Sequence, residues 1–329
     1  MILYNLHSQI KGLTSADNTC KPESFHNPEG LWFDQTKIRL FGDKLKGGVM
    51  PNFLPFHRKT QVLNALVEGA SICSISRMTG VNKRTILRLL CEAGEKAKEI
   101  MDRELVNVKA RFIQCDEIWA FVGKKQKQCT EEEKREGLLG DQYIWVAMDS
   151  DSKLVVSYRI GKRTQEYAES IMKDLAYRIP NRFQLSTDAF KGYFDAVDRV
   201  FGTDVDYGTI HKNFAEDILA QRRYSPPQVV SVSLEVRQGF PIRKRISTSH
   251  VERQNLTMRM NMRRLTRLTN AFSKKLSNLE AAVALHFYWY DFCRIHQTLR
   301  VTPAMAAGIT RKLWSWEGLW NSVEERKAA

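Results

Sequence analysis

The sequence predicts an α/β protein, a mixed sheet flanked by helices and preceded by an α-helical helix-turn-helix region. Three observations predict it. Short helical patterns occupy residues 57–94, a strand-rich block alternates with helices from about residue 111, and a chain of 329 residues is long enough to bury a core and divide into domains.

Residues 1–56 carry Gly, Pro and Asn in irregular order ("NPEG", "KGGVMPNFLP") and remain unassigned. From His57 the pattern changes. "RKTQVLNALVEG" sets Val62, Leu63, Leu66 and Val67 at helical spacing and stops at Gly69. "ASICSISRMTG" puts Ile72, Ile75 and Met78 on one face, and "VNKRTILRLLCEAG" offers Asn82 as an N-cap before a stripe of Ile86, Leu89 and Leu90. Joined by Thr79-Gly80-Val81, these two helices make a helix-turn-helix, with a charged connector over 92–109 completing a DNA-binding region over 57–108.

A second domain is expected over 109–310, with strands at about 111–121, 143–148 and 153–160, a helix over 165–177, a strand at 182–187 and a helix over 191–200. "DVDYGTI" supplies a fifth strand. Residues 211–247, with "SPP" and "GFPIRKR", read as a loop or extra hairpin, the chain from His250 as long helices, and 311–329 as a C-terminal tail.

Fifty-one Lys and Arg against 37 Asp and Glu give a net charge of +14, which favours a polyanionic partner, nucleic acid before an anionic membrane. The most apolar run, Ala281 to Tyr290, is too short to span a bilayer and contains His286, so no membrane partner is expected. "MILYNLHSQIKG" lacks the basic flank and apolar stretch of a signal peptide, and a cytoplasmic, nucleoid-associated location is expected. The six cysteines are scattered with no Cys-x-x-Cys pair, the pattern of inert buried thiols.

"QCDEIWAFVG" raises the chemical question. Both faces of this strand are mostly apolar, as in a central strand covered on both sides, yet it carries Asp116 and Glu117 side by side. A carboxylate there must be paired, protonated or bound to a metal, since burying an unpaired charge is costly. Asp188, in "FQLSTDAFKGY", lies just past the end of the fourth strand and can meet Asp116 if the two strands are neighbours; it is equally placed to cap the following helix. Close like charges are naturally compensated by hard divalent cations such as Mg²⁺, which take oxygen ligands. Glu252, in "RISTSHVERQNLTMRM", is a third candidate, although an early helical Glu also complements the helix dipole. From Arg253 to Lys275 follow seven basic residues and no acidic one: Arg253, Arg259, Arg263, Arg264, Arg267, Lys274 and Lys275. A solvated face usually mixes signs, so this run suits a phosphate backbone.

Taken together, "DEIWAFVGKKQKQ", "STDAFKGY", "TSHVERQNLTMRMNMRRLTRLTNAFSKK" and "YWYDFCRIHQTLRVTPAMA" resemble, in order and spacing, the DDE transposases of the insertion sequence 1 type, over roughly residues 57–310. The resemblance implies a ribonuclease H-like catalytic core in which two aspartates and a glutamate, here Asp116, Asp188 and Glu252, are the catalytic and metal-ligating residues for two Mg²⁺ ions, with Mn²⁺ as a substitute. Arg253 and Arg259 would match the family's basic residues near the third acid. It also implies double-stranded DNA partners, the element's terminal inverted repeats and target DNA, and a homodimer or higher oligomer. Members commonly begin with a cysteine-bearing zinc-binding module, whereas residues 1–56 contain one cysteine, Cys20.

The implied chemistry is Mg²⁺-dependent hydrolysis at the element ends followed by attack of the freed 3′-hydroxyl on target DNA. No Ser, Cys or His triad is evident, and His211 and His250 are candidates for phosphate contact or structural roles. The second helix of the helix-turn-helix offers Lys83, Arg84, Thr85 and Arg88 to a major groove. Trp314, Trp316 and Trp320 read as packing or oligomer contacts, and Glu117, turned away from Asp116, as half of a structural ion pair. Two other readings stay open: a DNA-binding repressor whose catalytic core is unused, and a ribonuclease H-like nuclease or resolvase.

Overall fold

The computed structural model describes residues 54–214 and 229–324, with the side chains of Phe214 and of 322–324 left aside. Of the unassigned 1–56, residues 1–53, with Cys20 and the question of a zinc module, lie outside the described residues, as does part of the expected loop, 215–228. The described chain falls within one compact unit, Phe53–Ala329.

The first helices are α1 (Phe56–Val67), α2 (Ile72–Thr79) and α3 (Lys83–Glu104). The Ser71 side chain caps α2 by accepting from the Ser74 N–H at 3.0 Å, and Gly80 ends it in the left-handed region at φ 68°. Asn82 then opens α3 by accepting from the Arg84 N–H at 2.9 Å. Val62, Leu63, Val67, Ile75, Ile86, Leu89 and Leu90 are buried as their spacing predicts, whereas Leu66 and Ile72 are half-buried and Met78, expected on one face with Ile72 and Ile75, is 65% exposed. The expected connector over 92–109 is instead mostly helix, because Gly94 does not break α3. It marks a close approach: a Cβ there would stand 2.5 Å from the Cα and carbonyl oxygen of Ala281. Ala97, Ile100 and Met101 extend the buried stripe beyond it, so α1 to α3 and the sheet region share one core.

The sheet has six strands: β1 (Phe112–Val122), β2 (Gly140–Asp149), β3 (Val155–Gly161), β4 (Gln184–Asp188), β5 (Asp206–Phe214) and β6 (Val229–Gln238). Their order is β3-β2-β1-β4-β5-β6. β1 to β3 pair antiparallel, β4 joins β1 and β5 in parallel, and β6 returns antiparallel along β5. This is the mixed, ribonuclease H-like sheet that was expected, with β1 central. Of the two readings left open for 211–247, the extra hairpin is realised, with β6 as an exposed edge strand.

A short helix, α4 (Glu131–Glu136), precedes β2, closed by a capping box between Thr130 and Glu133. α5 (Gln165–Arg178) crosses from β3 to β4, packing on β2 and β3, and α6 (Lys191–Phe201) links β4 to β5 and packs beside α5. α7 (Ser249–Asn261) lies along β1 and β2, and α8 (Leu276–Tyr288) along α3. The final third was expected to form long helices, but α7 and α8 have 13 residues each and an irregular basic stretch separates them. After α8 the chain widens into a short π-helix, Trp289–Cys293, whose fully buried Asp291 accepts from the Val155 N–H at 3.1 Å. α9 (Pro303–Ala306) is a single turn. The expected tail contains α10 (Trp316–Glu324): Trp316 Nε1 donates to Asn64 Oδ1 at 2.6 Å, Leu319 is fully buried, and Trp320 meets Phe56 edge to face at 6.2 Å. Trp314 stacks on Phe292 at 4.5 Å, so these tryptophans serve packing.

Among the described residues, no helix is long and apolar enough to cross a membrane.

Candidate active site

The parallel ladder between β1 and β4 pairs Phe112 with Gln184, Ile113 with Leu185 and Gln114 with Ser186, and then ends. Asp116 and Asp188 stand two residues beyond, in the same register, where the strands part. β4 stays paired with β5 to its end, Asp188 opposite Ile210. The parting opens a cavity of about 580 Å³, lined by Asp116, Arg163, Asp188, Lys191, Lys212 and Glu252 among others.

A glutamine sets the position of Glu252. Gln114, buried on β1 two residues before Asp116, accepts through Oε1 from the backbone N–H groups of His250 at 2.9 Å and Val251 at 3.2 Å. Both are orphan donors of the first turn of α7, so Gln114 ties that helix end to the strand. Val251, Gln254, Asn255 and Met258 form the buried face of α7, and Glu252 lies at the cavity. Three residues on, Asn255 Nδ2 donates to Asp116 Oδ2 at 2.8 Å. Glu252 accepts from the Thr248 hydroxyl and pairs with the Lys212 ammonium.

Asp188 borders the cavity and does not cap α6, whose N-cap residue is Phe190 and has no side-chain cap hydrogen bond. Its Oδ1 accepts from the Phe190 N–H at 3.0 Å, steadying the turn into α6, while Oδ2 faces Arg163 Nη2 at 3.4 Å.

Glu117 is the unexpected member. It pairs with Arg163, Nε to Oε2 at 3.3 Å, as an ion-pair reading requires. It is not remote from the aspartates, however: Asp116, Glu117 and Asp188 can each bring one carboxylate oxygen within 4.8 Å of the others. Alternation puts it on the face opposite Asp116, against Trp145 across the β1–β2 ladder, where Trp145, Phe190 and Tyr193 form an aromatic cluster. The longer glutamate then reaches round the splayed strand end. Its side chain is 4% exposed, and its Oε1 has no hydrogen-bond partner.

The electrostatics follow from this crowding. Burial, and then the charge of Asp188, push the Asp116 carboxyl up to about 6; Glu252 adds to the shift, and the Asn255 hydrogen bond opposes it. Burial, and again Asp188, push Glu117 up to about 7, against the pull of Arg163. An all-oxygen donor set, charged against its own repulsion and with one buried carboxylate oxygen left orphaned, fits a hard divalent cation.

The basic residues divide. Arg253, Arg263, Arg267, Lys274 and Lys275 are exposed. Arg264 turns inward, its Nη1 donating to Ser273 Oγ at 2.7 Å and the Asn278 carbonyl at 2.9 Å, and burial lowers its pKa to about 10. Arg259 is half-buried against the Leu265 carbonyl at 3.2 Å. On α3, Lys83, Arg84 and Arg88 are exposed and Thr85 is half-buried. His211 pairs with Glu235 at 3.1 Å, and His250 lies 3.3 Å from the Lys153 ammonium. Gln114, Asn255, Arg163 and Lys212 were not singled out by sequence. Only Asn255 carried a signal, three residues after Glu252 on the same helix.

No family model matches the sequence, and no curated protein matches it. Among solved structures, matches include a Mos1 strand transfer complex (13% identity, TM-score 0.21), a Mos1 transposase paired-end complex with the left transposon end (11%, 0.19) and a pre-cleavage Mos1 transpososome (12%, 0.20). Each alignment covers 50% of this chain, and the chain spans about 60% of the solved chains it matches. A likeness this slight carries no functional argument.

Proposed function

We propose that this protein is a DDE transposase, binding the terminal inverted repeats of an insertion sequence and catalysing Mg²⁺-dependent DNA strand cleavage and strand transfer. The observation that carries the reading is the convergence of Asp116, Asp188 and Glu252, from two strands and a helix far apart in sequence, on one cavity. The sequence stretches that resemble insertion sequence 1 transposases contain these same three residues.

In this reading Asp116, Asp188 and Glu252 hold divalent cations, and Glu117 adds a fourth carboxylate. The bound ions supply positive charge that favours formation of an attacking hydroxide or 3′-alkoxide and stabilises the leaving oxygen. The protein's own residues do the positioning. Asn255 fixes one oxygen of Asp116 and leaves the other for a ligand, and Gln114 keeps Glu252 at the cavity. No side-chain nucleophile is needed, since water and then a DNA 3′-hydroxyl attack phosphorus directly. Arg253, Arg263, Arg267, Lys274 and Lys275 would neutralise phosphates along the DNA, while Lys83, Arg84, Thr85 and Arg88 would read the inverted repeats. Residues 57–108 then form the end-binding region and 109–310 the catalytic region, working as a homodimer or higher oligomer on paired ends.

The test uses the DNA that flanks the gene, in which the proposal expects a pair of terminal inverted repeats. Full-length protein incubated with these ends, a target plasmid and Mg²⁺ should yield 3′-hydroxyl nicks and joined products. End binding with no cleavage in Mg²⁺ or Mn²⁺ would favour a repressor, and cleavage without joining a nuclease or resolvase.

A further inference from the structure

Three carboxylates, Asp116, Glu117 and Asp188, crowd this site, Glu252 lines the same cavity, and all but Asp116 pair with a cation of the chain. Arg163 spans Glu117 and Asp188, and Lys212 takes Glu252. Asp116 has the neutral amide of Asn255 instead.

We propose that Arg163 and Lys212 are resident counter-ions of the acidic cavity: they neutralise its carboxylates in the metal-free protein and give way to divalent cations on loading, moving toward substrate phosphate. This rests on the metal-dependent reading above.

The geometry separates these cations from structural ones in the same molecule. Arg178 is 6% exposed and locked, donating to Asp174 at 2.7 Å, to Asp102 at 2.5 Å and to the Leu105 carbonyl at 3.0 Å. Arg163 is 38% exposed at the cavity mouth, and its contacts of 3.3 and 3.4 Å are longer than the roughly 2.7–2.9 Å of a well-formed charge-assisted bond. The guanidinium is shared between two carboxylates and locked to neither.

It also has a second contact that does not depend on its carboxylates. The Phe190 ring lies 4.2 Å beneath it, and a cation–π contact can hold the guanidinium once its carboxylates are taken. Lys212, on β5, has its single described carboxylate partner in Glu252 and a flexible stem. Both cations line the cavity itself, so their displaced charge stays within reach of a phosphate entering it.

The test is Mn²⁺ binding by the full-length chain without DNA, with free Mn²⁺ followed by electron paramagnetic resonance. Arg163→Gln and Lys212→Gln should each bind Mn²⁺ about tenfold more tightly than wild type, or about 1.4 kcal/mol. Lys191→Gln removes the same charge from the same cavity, but Lys191 pairs with no carboxylate among the described residues, so its affinity should change far less. Lys212→Gln, on a strand near the sheet edge, carries the test alone if Arg163→Gln fails to fold. Unchanged affinity in both variants, or an equal gain in Lys191→Gln, overturns the counter-ion role. The metal reading survives that result if Asp188→Asn abolishes binding. No saturable Mn²⁺ binding in wild type, Arg163→Gln or Lys212→Gln overturns both.

Discussion

Asp116 and Asp188 stand two residues past the last rung of the ladder that joins their strands, the pairing of Gln114 with Ser186. The sheet brings the two carboxylates alongside and then releases the strands, so the charges border a cavity rather than a packed core. Asn255 completes the arrangement from the third element, α7, by holding Asp116 Oδ2 at 2.8 Å. Asn255→Ala should lower the cleavage rate about 10- to 100-fold, the usual effect of losing a group that orients a metal ligand, with end binding unchanged. Asn255→Asp should lower it further by placing a second negative charge against Asp116. Cleavage rates at saturating Mg²⁺, beside gel shifts on the same ends, check both.

The basic run after Glu252 holds two adjacent arginines with opposite fates. Arg263 is exposed, whereas Arg264 donates to Ser273 and Asn278 and thereby ties the run to the end of β1, where Ser273 bridges Val122. Arg263→Gln should weaken DNA binding about equally for all sequences and reduce the salt slope by about 1. Arg264→Gln should instead cost about 1–3 kcal/mol of stability by leaving buried acceptors without a donor. Salt-dependent binding isotherms and urea unfolding of both variants separate these outcomes.

Glycine to alanine within a helix ordinarily gains up to about 1 kcal/mol. Gly94→Ala should reverse that sign, because the new Cβ would meet the Ala281 backbone at 2.5 Å and overpacking costs about 1–3 kcal/mol. Thermal or urea unfolding of this variant reports directly on the packing of α3 against α8.

Asp291 sets a pH dependence of stability away from the cavity. It is fully buried, with Oδ2 unpartnered, and burial holds its carboxyl well above the usual range against the opposing Val155 N–H. The folded state therefore keeps a proton that the unfolded chain releases from about pH 4 upward, and stability falls as pH rises through that window by at most about 1.4 kcal/mol per unit. Asp291→Asn should lack this slope, gaining on wild type between pH 4 and neutrality in urea titrations at stepped pH. Parallel curves for the two proteins would contradict the assignment.

The sequence made the central strand legible because both faces of 111–121 are apolar, and the α2–α3 corner because Gly80 and Asn82 carry turn and cap chemistry that acts locally. It misread Gly94 because the partner that makes glycine necessary, Ala281, is 187 residues away. β6 stayed ambiguous beside Pro-rich sequence, its pairing fixed only by β5. At the site, Asp116 stood out as charge inside an apolar strand, Asp188 as charge just past the end of one, and Glu252 as the acid before a basic run. Glu117 was read correctly as ion-paired, but strand alternation hid its reach, since alternation describes the Cβ and not the far end of a long side chain. Arg163, Lys212 and Gln114 carry no local signal; their roles arise only where β1, β4, β5 and α7 meet.

The central claim is that Asp116, Asp188 and Glu252 act as one metal-dependent centre on DNA. Its most direct measurement is Mg²⁺-dependent cleavage of element-end DNA by Asp116→Asn, Asp188→Asn and Glu252→Gln beside wild type, with end binding measured in parallel. The account predicts that each substitution abolishes cleavage and leaves end binding largely intact. Cleavage retained in all three would contradict it.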